Sequence, residues 1–220
     1  MAREGSNQRG PVLVQLRFAS GHTSGEYVTL ELWRSASLPR CPLHPKGGCG
    51  FARHGTYARV NPRGTRIARW YCPKGHRTFS LLPDHLAARF PGTLAEIEAV
   101  VAVVESSPNQ EAAANLLRPD DVTLTTALRW IRRRLSLVRI TLTNVVSLLP
   151  DLCRGTVPTI HGFRLLFGAE SVLMSLREVT AMPLAGLSRP LGFRPPGKLH
   201  GGHKSPVQQY PGPDPPVAKG

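Results

Sequence analysis

Acidic side chains are scarce in this chain. Asp and Glu supply 14 of 220 residues against 28 Lys plus Arg, and the formal net charge is +14. Few carboxylates are left for paired acid–base or two-metal work, whereas a strongly basic chain suits a polyanion, most often nucleic acid. Arg outnumbers Lys, which favours planar contacts with phosphate. Cysteine is sparse as well. The chain has four, three of them between Cys41 and Cys72, which does not make a secreted disulfide framework. No apolar run approaches the ~18 residues of a membrane span. The polar start MAREGSNQRG lacks the apolar core of a signal peptide. These absences predict a cytoplasmic protein, at the nucleoid if its partner is DNA. Neither H-E-x-x-H, nor Gly-x-Ser-x-Gly, nor a phosphate-cradling glycine loop occurs. Asp84, Asp120, Asp121 and Asp151 fall at turns or helix starts, where capping accounts for them. The expectation is therefore no enzyme, no small-molecule substrate and no membrane.

The stretch from Cys41 to Pro83 organises what is present. It reads CPLHPKGGCG, then HGTYAR, then RWYCPKGHRTFSLLP. Cys41 and Cys49 bracket a first loop with His44 inside it, and Cys72 and His76 bracket a second. Pro, Gly and Lys of tight turns accompany both loops. Thiolate and imidazole in two pairs suit a tetrahedrally held divalent metal. Thr56 to Val60 and Arg66 to Cys72 read as strands joined by the turn NPRG, and Arg77 to Ser80 suggests a third. Arg59, Arg63, Arg66, Arg69, Lys74 and Arg77 stud this sheet, interleaved with Tyr57, Trp70, Tyr71 and Phe79. So small a core needs a structural metal to supply most of its folding free energy, on the order of 10 kcal/mol.

Upstream, residues 11–34 alternate with period two, Val12 to Phe18 and Val28 to Leu32, which predicts a β-hairpin. Downstream, Thr93 with Glu96 is a capping-box signature opening a helix. Ser107-Pro108 predicts a second, short helix with Pro at its first position. A third helix starts near Thr123 and runs to Leu149, with Leu124, Leu128, Ile131, Leu135, Val138, Leu142, Val145 and Leu149 as a heptad stripe. That stripe is either the inward face of a helical domain or a seam for self-association over 124–149. Short helix, turn and Arg-rich longer helix is a helix-turn-helix arrangement, with Arg129, Arg132 and Arg133 where base edges and phosphates are met. A further helix is expected around Glu170 to Val179.

The pieces CPLHPKGGCG, RHGTYAR and RWYCPKGHRTFSLLP resemble the zinc-ribbon module at the amino end of bacterial insertion-sequence transposases and their stand-alone relatives. The usual pattern there is CPxC, then HG with an aromatic and an Arg, then CxxC followed closely by TFS. A helix-turn-helix commonly follows. The resemblance covers about residues 41–150 and is most specific from Cys72 to Pro83. It implies a Zn2+ ion and DNA contact. The chain departs from the pattern in both loops. The first is several residues longer, and Gly75 stands at the usual cysteine position of the second. The nearest available ligand set is Cys41, Cys49, Cys72 and His76, with Cys41–His44 as the alternative first pair. Transposase catalysis needs a long alternating strand–helix core with three carboxylates, for which the residues after Pro150 leave no room.

The reading is thus an α+β chain: a β-hairpin extension over 1–38, a zinc-ribbon β module over 39–91, an all-α helix-turn-helix domain over 92–180 and a disordered Pro/Gly tail over 181–220. The expected function is non-catalytic DNA binding, accessory or regulatory, through Arg59, Arg66, Arg69, Arg77, Arg129, Arg132 and Arg133. Two alternatives stand beside it. Zinc could merely staple a module that docks partners through the heptad helix, or the basic aromatic ribbon could bind RNA.

Overall fold

The computed structural model describes residues 12–180, 187 and 189–192. Four strands form one mixed sheet: β1 (Val12–Phe18), β2 (Ala52–Ala58), β3 (Arg66–Cys72) and β4 (Arg77–Pro83), in the order β1-β4-β3-β2. β3 pairs antiparallel with both neighbours, Trp70 facing Phe79 on one side and Arg53 on the other. β4 is central and buried along nearly its whole length. As an inner strand covered on both faces, it is buried from Thr78 to Pro83 without alternation, Thr78 and Ser80 being the small polar residues among its apolar ones.

The expected hairpin over residues 11–34 is not formed. β1 runs parallel to β4, with Val14 opposite Phe79 and Leu16 opposite Leu81. The second arm is instead a short helix, α1 (Ser24–Thr29). A capping box decides it: the Glu26 amide donates to Thr23 Oγ1 at 3.3 Å and the Thr23 amide to Glu26 Oε2 at 2.8 Å. Two orphan helix donors are satisfied locally, which outweighs the period-two pattern of Val28, Leu30 and Leu32. Tyr27 is the residue this helix buries, and its hydroxyl donates to the Arg66 carbonyl at 3.0 Å.

Alternation along β3 divides the interior in two. Ala68, Trp70 and Cys72 join Val14, Tyr27, Trp33, Phe79 and Leu81 in a core covered by α1 and the chain after it. Ile67 and Leu82 point the other way, into a larger core shared with the helices. These are α2 (Leu94–Ser106), α3 (Gln110–Leu117), α4 (Leu124–Leu148), α5 (Ile160–Phe167) and α6 (Val172–Val179). The capping box of Thr93 and Glu96 starts α2 as its sequence indicated. α3 starts two residues later than expected: its first helical residue is Gln110, not Pro108, and Asn109 caps it, its Oδ1 accepting from the Ala112 amide at 2.9 Å. Only one helix is expected from sequence after Pro150, around Glu170 to Val179; the chain around His161 and Gly162 forms another, α5, capped by Thr159.

α2 touches all four other helices of this group. Three of the chain's few carboxylates lie on it. Glu96 serves the cap, and Glu98 and Glu105, two turns apart, are both committed to the fold. Buried Glu98 accepts from the amides of Val172 and Leu173, at 3.1 and 2.9 Å, and from Arg164 at 3.1 Å. Glu105 accepts from the amides of Ile160 and His161 at 3.1 Å each. Each carboxylate therefore satisfies the first amides of α6 or α5, where negative charge is favoured.

The tail expected from 181 onward is in part ordered against this core. Leu187 and Leu191 are buried in it, the Ala88 amide donates to the Pro190 carbonyl at 2.8 Å, and Thr141 donates to the Arg189 carbonyl at 2.6 Å. The remainder of 181–220 lies outside the described residues, as does the start of the 1–38 segment.

His85, between β4 and α2, is buried against the edge of the Tyr27 ring at 5.3 Å. Burial, with help from the positive charges of Arg177 and Arg59, pushes its pKa down to about 4. The unfolded chain titrates this histidine near 6.5, so between about 6.5 and about 4 it binds more protons than the folded one. Stability is then complete above this window and falls as pH drops through it, by up to about 3 kcal/mol. Denaturant unfolding of the wild type and His85→Leu at several pH values checks this. The wild-type loss in excess of the variant's should appear in that window; parallel curves would assign the acid sensitivity to other groups.

Candidate metal centre

The first loop closes on itself before it reaches the sheet. The His44 amide donates to the Cys41 carbonyl at 3.2 Å and the Gly47 amide to the His44 carbonyl at 2.9 Å. Gly47, Gly48 and Gly50 all have positive φ, which lets the chain turn back to Cys49 within a few residues. The second loop is the hairpin turn between β3 and β4, Pro73 to His76, with Cys72 paired to Arg77 at its base. Its Gly75 amide donates to Cys72 Sγ at 3.2 Å. The two loops meet at Gly75. A Cβ there would lie 2.7 Å from Leu43 Cδ1 and 3.3 Å from Cys72 Sγ, so a side chain at this position would crowd the end of Leu43 and the Cys72 sulfur.

This closure gathers Cys41, His44, Cys49 and Cys72, whose ligand atoms all lie within 4.8 Å of one another. His44 Nδ1 is 3.6 Å from Cys41 Sγ and 3.4 Å from Cys72 Sγ. Zinc bonded tetrahedrally at ~2.0–2.1 Å to nitrogen and ~2.3 Å to sulfur sets an N···S edge of about 3.6 Å. The observed spacing matches that edge, and the group could hold a metal ion. Three thiols and one imidazole are a donor set that suits Zn2+ and fills four positions. All three cysteines are buried and none is in a disulfide. Burial opposes ionisation of Cys41, but the amides of Leu43 and His44 and the neighbouring thiols outweigh it and hold its pKa below the ordinary thiol value. Burial pushes Cys72 up, reinforced by the negative charge Cys41 carries when ionised.

His76 does not join the group. Its backbone is left-handed, φ 46°, and its Nδ1 lies 3.4 Å from the Tyr71 hydroxyl. Tyr71 and Cys72 are successive residues of a strand and point to opposite faces, so a ring beside Tyr71 is on the far side from the thiols. The fourth donor is His44 from the first loop. Three donors thus come from the first loop and one from the second, where a two-plus-two division was expected. The signal for it was the Cys41-x2-His44 spacing.

The arginines expected to meet nucleic acid are differently placed. Arg59 donates to the carbonyls of Asn61, Ala87 and Phe90 at 3.3, 3.3 and 2.7 Å, and burial lowers its pKa. It ties the β2–β3 connection to the chain before α2, a structural task. Half-buried Arg69 lies over the Tyr57 ring at 5.6 Å. Arg77 is half-buried opposite Cys72, and Arg66 is exposed with its Nε on Thr56 Oγ1 at 3.0 Å. On α4, Arg129, Arg132 and Arg133 are exposed. Arg132 also donates to Gln110 Oε1 of α3 at 3.0 Å, and Arg133 sits 5.3 Å from the Phe90 ring centre. The opposite face of α4, with Ile131, Leu135, Val138, Leu142 and Val145, is buried within the chain's own core. Among the described residues no helix is long and apolar enough to cross a membrane.

Comparison of the chain with protein-family models, with curated proteins and with solved structures gave no match.

Proposed function

We propose that this chain is a non-catalytic DNA-binding protein in which a Zn2+ ion at Cys41, His44, Cys49 and Cys72 fixes a small β module and α3–α4 act as a helix-turn-helix. The observation that carries this reading is the exposed face of α4. Thr125, Arg129, Arg132, Ser136, Arg139 and Thr143 recur at steps of four and three along it, all exposed. α4 has five arginines and no Asp or Glu in 25 residues. A helix that merely needs a solvated surface interleaves acids with bases at i,i+4. An arginine and hydroxyl stripe without carboxylates suits phosphate oxygens and base edges. The commitment of Glu98 and Glu105 to capping also speaks against acid–base catalysis, since these buried or half-buried acids already have partners.

The resemblance of residues 41–150 to transposase amino regions supports an accessory or regulatory role beside such DNA. Docking of partners through the heptad stripe is less favoured, because that stripe is covered inside the chain.

Titrating metal-loaded protein into labelled duplex DNA at rising salt tests the reading. Binding should weaken steeply, with a log–log slope near −0.9 per phosphate neutralised. Replacing Arg129 and Arg132 with Ala should lower affinity roughly tenfold or more and flatten the slope by about one for each phosphate no longer neutralised. Association indifferent to salt and to both substitutions would reject it. Stronger retention of an RNA hairpin, abolished on replacing Arg69, would transfer the function to the ribbon sheet.

A further inference from the structure

We propose that a second site, a phosphate-binding pocket, lies between the turn after α1 and the β2 edge of the sheet. A cleft of about 510 Å³ opens there, lined by Glu31, Trp33, Arg34, Arg53, Thr56 and Arg66. Three guanidiniums from three separate segments line it against a single carboxylate, so its walls are net positive. Like charges lining one cleft repel, and an anion entering it relieves that repulsion.

The guanidiniums are also held in place. Arg53 donates to the Arg34 carbonyl at 2.7 Å and the Trp33 carbonyl at 2.5 Å, and lies 5.3 Å from the Trp70 ring centre. Arg66 is steered by Thr56 Oγ1, and Arg34 by Glu31. A guanidinium has five N–H donors, so these bonds leave Arg53 and Arg66 with N–H groups to spare. Arginine forks fixed before the ligand arrives match the oxygens of a phosphate and lose little freedom on binding it.

Arg66 and Cys72 stand on one face of β3, six residues and ~20 Å apart, so the metal end and the cleft end of the module share one surface. β2 is the margin of the sheet, and a phosphate backbone running past it would reach the cleft from solvent. A backbone phosphate and a free pyrophosphate-bearing nucleotide present the same chemistry. The pocket rests on the DNA reading only for the first of these sources.

The test uses the metal-loaded full chain with two probes, inorganic pyrophosphate and a labelled DNA duplex. The variants are Arg66→Gln and Arg34→Gln, because Arg53 also anchors the chain beside it. Circular dichroism and metal content confirm that each variant is folded. Arg66→Gln should weaken pyrophosphate binding about tenfold and lower the duplex salt slope by about one. Arg34→Gln should weaken both further, since Glu31 is then uncompensated in the cleft. Pyrophosphate and duplex binding that both variants leave unchanged would overturn the pocket and leave the α4 reading standing. Arg66-dependent binding of pyrophosphate without any duplex binding would support the pocket, assign it to a free nucleotide and overturn the DNA reading. No binding of either probe by the wild type would overturn both.

Discussion

If Cys41, His44, Cys49 and Cys72 hold the proposed Zn2+, stripping it is expected to unfold that side of the sheet while the helices persist. The core on that side is small: apart from the three cysteines it consists of Val14, Tyr27, Trp33, Ala36, Ala68, Trp70, Phe79 and Leu81. The helical core is separate and larger, and reaches the sheet through Ile67 and Leu82. A structural zinc contributes roughly 10 kcal/mol or more to such a module, comparable to the whole stability of an ordinary domain. Chelation, or Cys72→Ser, should therefore abolish the near-ultraviolet signal of Trp33 and Trp70 and leave most far-ultraviolet helix intensity. Metal content separates the two histidines. His44→Ala should lower the bound ion well below one per chain, whereas His76→Ala should leave it unchanged. A chain that keeps its full complement after His44→Ala, or keeps its sheet after chelation, would refute the assignment.

The contrast between those histidines shows where sequence stops being legible. Thr93 and Glu96, the strand from Arg66 to Cys72 and the long helix after Thr123 are written in local chemistry: a cap, an alternation, an apolar stripe at helical spacing. Each reads correctly without knowledge of the rest of the chain. Spacing also placed Cys41, Cys49 and Cys72 in one site. It could not choose between His44 and His76, because that choice turns on one left-handed backbone angle and on which face of β3 the ring then joins. The parallel pairing of β1 with β4 has no local mark either. It depends on the Thr23–Glu26 cap redirecting the chain and on contacts between residues more than sixty apart, such as the 2.8 Å ion pair of Arg17 with Asp84. The cleft is of the same kind, since Arg34, Arg53 and Arg66 converge only once the chain after α1 has packed on the sheet.

Replacing Arg177 is expected to be among the most destabilising substitutions away from the metal. The side chain is fully buried on α6, and its guanidinium donates to four carbonyls: Asp84, Leu86 at 2.6 Å, Pro190 at 3.0 Å and Leu191 at 3.4 Å. Burial pushes its pKa down to about 10, so it remains charged at neutral pH, with Asp84 as the favourable neighbouring charge. Arg177→Met preserves volume but strips hydrogen-bond partners from carbonyls that α6, the β4–α2 connection and the downstream segment bring together. Removing one member of a buried charged network typically costs about 3–5 kcal/mol. For a chain of this size that corresponds to a fall in melting temperature of about 10 °C. Lysine should rescue only part, because its ammonium cannot span carbonyls on two sides. The loss should also be directional. With Pro190 and Leu191 unpinned, the bond from the Ala88 amide to the Pro190 carbonyl opens, and hydrogen exchange at Ala88 should accelerate well beyond that at Leu94, whose amide bonds to the His85 carbonyl at 2.8 Å. Uniform acceleration of both amides would mean that Arg177 supports the whole core and does not specifically clamp residues 189–192 against it.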